Sequence, residues 1–161
     1  GRDIAPGPEA KGAIIGFGEV HTRAHIYRSI LEGLAYALRE GREAIEKRGK
    51  KKISRLRVSG GGSQSRAAMQ ITADVFGLPA ERPHTFETSG LGAAIVTAVG
   101  LGLHKDFATA MQKMTREGDV FYPDPEANKI YNALYSEVYQ GMYNRLASMY
   151  KLFHKITGYP K

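Results

Sequence analysis

The chain has 161 residues, 42% of them hydrophobic and 24% charged, the size and balance of one ordinary globular domain with a single core. No apolar run approaches the roughly 20 residues of a membrane-crossing helix, and no charged-then-apolar signal segment opens the sequence, so a cytoplasmic protein without membrane contact is expected. Zero cysteines exclude disulfides and thiolate metal sites, and the net charge of +7 makes the placement of the basic residues the test for a nucleic-acid partner.

Gly1 to Gly12 holds prolines and glycines without periodicity and reads as an extended lead-in, followed by Ala13, Ile14 and Ile15 as a short strand. From about Thr22 to Arg48 the pattern is helical: Ile26, Ile30, Leu34 and Leu38 recur one turn apart, with Leu31, Ala35 and Ile45 beside them. The opposite, polar face carries Arg28, Glu32, Arg39, Arg42, Glu43, Glu46 and Lys47. His21 and His25 have the spacing that brings two imidazoles to one helix face as metal ligands. No glutamate occupies the H-E-x-x-H position, however, and two ordinary histidines at a helix start are the simpler reading.

Lys47, Arg48, Lys50, Lys51, Lys52, Arg55 and Arg57 crowd the region where this helix ends at Gly49. A helix C-terminus favours cations, and no aromatics are interleaved as a single-strand binding platform needs. A solvated cap and loop is therefore preferred, with a basic nucleic-acid-binding domain as an alternative.

Ile53, Leu56 and Val58 then read as a strand, Gly60, Gly61 and Gly62 as a turn, and Ser65 to Phe76 as a helix with Ala68, Ile71, Thr72 and Val75 inward. Consecutive glycines let the backbone take positive φ and leave room for a ligand against the main chain. The following helix start offers free N–H groups where a phosphate can be held. The same residues equally describe a tight turn between two core elements, and they match neither G-x-x-x-x-G-K-[ST] nor a clean G-x-G-x-x-G, because Ser65 stands where the last glycine would fall.

Pro79 to Pro83 reads as a second short strand. Glu87 to Gly102 reads as a helix whose small residues Gly90, Gly92, Ala93, Ala94, Ala98 and Gly100 permit close packing, with Glu87 as a capping carboxylate or part of a framework. Asp106 to Arg116 is expected to be a short helix. Phe121 to Glu126 supplies a turn and a helix start, with Asp124 as N-cap, Pro125 at the first position and Glu126 in the first turn. In the last and longest helix Tyr131, Tyr135, Tyr139 and Tyr143 step by one turn, a pattern expected of half-buried packing.

Three segments together carry a family resemblance. Gly12-Ala-Ile-Ile-Gly16-Phe17 followed by His25-Ile-Tyr-Arg-Ser-Ile-Leu-Glu32 resembles the second signature of the FGGY carbohydrate kinases, with Phe17 where an aliphatic residue is usual. Val58-Ser-Gly-Gly-Gly-Ser-Gln-Ser-Arg66 is similar to the family's nucleotide loop, Ala73-Asp-Val-Phe-Gly-Leu-Pro79 to the helix end after it, and Glu87-Thr-Ser-Gly-Leu-Gly-Ala-Ala94 to its last glycine-alanine helix. The match runs from about Gly12 to Leu103 in the family's order.

The resemblance implies an α/β fold: a partial actin-like (ribonuclease H-like) ATPase lobe over residues 1–117, helix-rich, with a helical extension over 118–161 ending in a long C-terminal helix. It implies ATP and magnesium as cofactors and a sugar or polyol as substrate. Gly60, Gly61 and Gly62 would approach the nucleotide, with Gly61 and Gly62 along its adenine and ribose, and Ser65, where relatives often carry asparagine, would hydrogen-bond it. The family's catalytic aspartate, phosphate loop and most sugar contacts lie upstream of these motifs. Neither Asp3 nor Asp74 falls in the motif that would carry the family's catalytic aspartate, so no residue is assigned to catalysis or to metal. The chain is accordingly expected to be the C-terminal portion of a kinase, inactive alone and self-associating through a strand edge left unpaired near Val58, the intact enzyme being a homodimer. A non-enzymatic actin-like nucleotide-binding module is the second alternative, and the choice of sugar rests on hydroxyl-discriminating pocket residues outside these motifs.

Overall fold

The computed structural model describes residues 10–159, so Asp3 and most of the Gly1–Gly12 lead-in lie outside the described residues. The chain divides into two compact units, one of Leu31–Asn128 and one formed by Gly1–Ile30 together with Lys129–Lys161. The first helix, α1 (Arg23–Gly49), begins in the second of these and continues into the first.

Within Leu31–Asn128 the elements after α1 run β1 (Leu56–Arg57), a 3₁₀ turn (Gly61–Gln64), α2 (Arg66–Phe76), β2 (Ala80–Glu81), α3 (Thr88–Gly100), α4 (Phe107–Met114) and β3 (Val120–Phe121). The three strands form one sheet in the order β1-β2-β3. β1 and β2 are parallel, pairing Leu56 with Ala80, and β2 and β3 are antiparallel, pairing Ala80 with Phe121. A parallel pair needs a crossover, and α2 supplies it. Its Met69 and Ala73 bury against Ala80 and Phe121, with Leu56 and Val58 at the margin, and this is the core of the sheet. Among the described residues β1 pairs on one side only, in keeping with an open strand edge near Val58.

The boundaries of α2 follow from its sequence. Ser65 is its N-cap, its hydroxyl accepting the Ala68 N–H at 3.3 Å. Gly77 closes it in the left-handed conformation (φ 62°), with its N–H on the Ala73 carbonyl. Ile71 and Val75 are buried as expected, while Ala68 and Thr72 are only partly covered and Met69, Ala73 and Phe76 join the buried set.

Three expectations are corrected. Ala13–Ile15 forms no strand: Ile14 and Ile15 are exposed, and among the described residues no strand is paired with them. β3 appears where a simple turn was expected, because Phe121 completes the core opposite Ala80; two residues are too short to declare an alternation. In α1 the apolar stripe is turned outward, Ile30, Leu34, Leu38 and Ile45 being 51–64% exposed. Its arginine face is turned inward instead: Arg39 donates to the Val75 carbonyl at 2.8 Å and Arg42 to that of Phe76 at 3.5 Å, the last carbonyls of α2. Cations belong at that end of a helix, and both guanidiniums are nearly covered.

The small face of α3 is likewise unfilled among the described residues. Only Ile95 and Ala98 are buried, and a Cβ built on Gly90, Gly92 or Gly100 would meet nothing within 4 Å. Glu87 stands at the start of α3 without a side-chain capping bond.

In the other unit, α5 (Pro125–Ala133, whose first turn belongs to Leu31–Asn128), a π-helical turn over Leu134–Tyr139 and α6 (Gln140–Thr157) follow one another without a break. Asp124 caps α5 as expected, accepting the Ala127 N–H at 2.8 Å. The tyrosine row packs: Tyr131 and Tyr135 are buried, Tyr135 and Tyr139 stack at 5.7 Å, and Arg28 donates to the Tyr131 hydroxyl at 3.0 Å.

Candidate functional site

The site is built from the end of β1 through the start of α2. Gly60 has φ 85° and ψ 179°, a conformation essentially reserved for glycine, and its N–H donates to the Phe86 carbonyl at 3.1 Å. Ser63 folds back on it, both its N–H (3.0 Å) and its hydroxyl (2.7 Å) donating to the Gly60 carbonyl, and is buried by doing so. Gly61 and Gly62 lie in the 3₁₀ turn that follows, and the expectation of positive φ holds for Gly60 alone. A Cβ on either would meet no atom within 4 Å, so the main chain there is bare and open.

Ser65 is placed beside these glycines, but its side chain serves α2 as the N-cap. That cap satisfies Ala68 and leaves the earlier amides of α2, Arg66 and Ala67, to other partners. A pocket of about 400 Å3 opens beside the turn, lined by Ser63, Gln64, Arg82, His84, Phe86 and Asp119 among others. Arg82 reaches from the end of β2 to the carbonyls of Ser63 and Gln64 and to Asp119. Neither Arg82 nor Ser63 stands out in the sequence; the one signal is a serine three residues after Gly60, the spacing of a local side-chain turn.

The remaining candidates resolve into supporting roles. Asp74 is buried; its Oδ1 accepts the Gln70 amide at 2.9 Å and the Asp124 N–H at 2.8 Å, tying α2 to the start of α5. His21 and His25 each accept a backbone N–H through Nδ1, from Gly18 at 2.9 Å and Thr22 at 3.1 Å. Among the described residues no three His, Asp or Glu side chains gather in a way that could hold a metal ion. Part of the basic run is committed to two covered carboxylates: Arg57 and Arg55 to Glu81 at 3.1 and 3.8 Å, and Lys52 to Glu46 at 3.9 Å. The Ile53 N–H holds the Glu46 carboxyl below its ordinary pKa against the cost of desolvation, with Arg42 and Lys52 adding to the effect.

Residues 2–101 match the model of the FGGY family of carbohydrate kinases, C-terminal domain. The chain belongs to this family. It is 38% identical to an uncharacterized sugar kinase, YgcE, of Escherichia coli over 94% of its own length and 32% of that protein's. It is 43% identical to a glycerol kinase 2 of Thermotoga maritima, over 60% of this chain and 20% of that protein. Among solved structures, a xylulose kinase from Rhodospirillum rubrum superposes with a TM-score of 0.73 at 33% identity, covering 90% of this chain and 29% of that one. The fold is thus the actin-like ATPase fold of FGGY kinases, in a chain spanning about a third or less of the length of these relatives. No helix among the described residues is long and apolar enough to cross a membrane.

Proposed function

We propose that this FGGY chain is the nucleotide-binding part of an ATP-dependent carbohydrate kinase, which transfers the ATP γ-phosphate to a hydroxyl of a sugar or polyol. The observation that carries the reading is the bare main chain at Gly61 and Gly62, at the N-terminal end of α2, in a chain of this family. A nucleoside fits such a surface because a flat ring needs the space a Cβ would take. Gly60 supplies the turn, Gly61 and Gly62 the surface for adenine and ribose, and Ser65 the helix cap, with its hydroxyl oxygen still able to accept or donate one further bond.

ATP supplies the phosphoryl group, and magnesium arrives with it; no described residue is assigned to the metal or to proton transfer from the sugar. What this chain's residues do is bind and orient, which for phosphoryl transfer is a large part of catalysis. Cytoplasmic residence and a homodimeric whole enzyme rest on the family alone. Self-association of the chain by itself rests on the open edge of β1 and the outward stripe of α1.

The test is carbohydrate-dependent ADP release by the whole protein, measured across glycerol, pentuloses, hexuloses and polyols. The reading expects release with at least one of them and its loss in Gly61→Asp, whose side chain fills the bare surface with like charge. Turnover unaffected by Gly61→Asp would contradict it.

A further inference from the structure

The glycine turn is a weak structure on its own. It is a four-residue 3₁₀ segment with glycine at two of its positions and a third glycine ahead of it. Its internal bonds run from the Ser63 N–H and hydroxyl to the Gly60 carbonyl and from the Ser65 N–H to that of Gly62. Such a segment loses much backbone entropy on ordering and has poor internal hydrogen-bond geometry. A surface meant to receive a rigid ring needs outside support.

Arg82, at the end of β2, supplies it. Arg82 Nη1 donates to the Ser63 carbonyl at 3.1 Å and to the Gln64 carbonyl at 3.2 Å, while Nη2 donates to the Asp119 carboxylate. The backbone doubles the tie, the Arg82 N–H donating to the Asp119 carbonyl at 3.0 Å. Asp119 is seated by the loop before β3, which lies so close to Arg82–His84 that a Cβ on Gly118 would overlap the Arg82 carbonyl oxygen. The Arg116 N–H donates to His84 Nδ1 at 3.1 Å and holds the other side of that loop. The Phe121 ring lies 5.6 Å from the Arg82 guanidinium, closing its apolar face. A planar fork holds two carbonyls and a carboxylate at once; an ammonium on a flexible stem does not.

We infer that Arg82, seated by Asp119 and Gly118, is the positioning residue that fixes the glycine turn and thereby sets nucleotide affinity through the turn rather than by contact. The inference rests on the nucleotide reading of Gly61 and Gly62.

The test measures two quantities on the chain: hydrogen exchange of the Ser63 and Ser65 amides, and affinity for Mg-ATP by saturation-transfer NMR. The variants are Arg82→Gln, Arg82→Lys and Asp119→Ala, with Ile95→Val as a core substitution away from the turn. Both Arg82 variants are expected to speed exchange at the two amides about tenfold, the equivalent of about 1.4 kcal/mol, and to weaken Mg-ATP by a similar factor. Asp119→Ala should do the same to a smaller degree, and Ile95→Val should alter neither quantity. Unchanged exchange in Arg82→Gln overturns the inference, and so does faster exchange with undiminished nucleotide affinity. Should Arg82→Gln fail to fold, Asp119→Ala, which alters an exposed side chain, carries both readouts. No transfer to Mg-ATP in the unaltered chain overturns the nucleotide reading and this inference with it; equal transfer in all variants overturns this inference alone.

Discussion

Helices α1 and α2 make opposite use of amphipathic sequences. In α2 the apolar residues go inward, and Met69, Ile71, Ala73, Val75 and Phe76 are buried within eleven residues. In α1 only Ala35 and Tyr36 are buried along twenty-seven residues, the leucine and isoleucine stripe faces out, and the helix is held to α2 by arginines on carbonyls. Periodicity therefore announces that a helix has two faces without saying which one this part of the chain covers. The arginine face wins inward in α1 because the end of α2 offers unsatisfied carbonyls and partial negative charge at that spot. The outward stripe is then a large apolar surface of the kind that marks contact with further protein.

Substitutions can break or sharpen this contrast. The largest effect is expected for Met69→Ala, which empties the packing between α2 and the sheet; chemical denaturation of the chain should read a loss of about 2–5 kcal/mol. Ser65→Ala removes the cap of α2 and should cost about 1 kcal/mol by the same measurement, because one helix amide loses its acceptor. A smaller and pH-dependent effect is expected at the end of α1. The Glu46 carboxyl sits below its ordinary value of 4.5, so its contribution is complete above that pH and disappears as pH falls through the lowered value. Glu46→Gln should flatten the stability profile in that acid window and lower the plateau above it. The smallest effect belongs to Leu38→Ser on the outward stripe, which should change stability by less than about 0.5 kcal/mol while reducing self-association in sedimentation. A loss from Leu38→Ser as large as that from Met69→Ala would mean that the stripe is covered after all.

Much of this was legible in sequence wherever a local rule acts alone. The extent of α1, the strand-turn-helix unit around Gly60 and the Asp124 cap each follow from nearest-neighbour chemistry, and each stands where expected. The family was legible too, because ordered motifs carry more information than any one of them. What escaped depends on partners distant in sequence. Val120 and Phe121 are a strand only because Ala80 lies opposite. Ala13–Ile15 has the composition of a strand, and among the described residues no strand pairs with it. Arg82 and Gly118 have roles only once the loop before β3 presses on the end of β2, thirty-odd residues away. Ser65 shows the same limit at close range, since its fit as an N-cap and its fit as a nucleotide ligand call for the same small hydroxyl.

The most direct measurement of the central claim is an amide map of the chain by ¹H–¹⁵N NMR, titrated with Mg-ATP. The account expects the largest shifts at Gly60 to Ala67, the bare turn and the first amides of α2, with smaller ones at Phe86, whose carbonyl holds Gly60. Shifts that gather on Lys47 to Arg57 and leave the glycine turn unmoved would contradict it, and would return the basic segment to the centre of the protein's function.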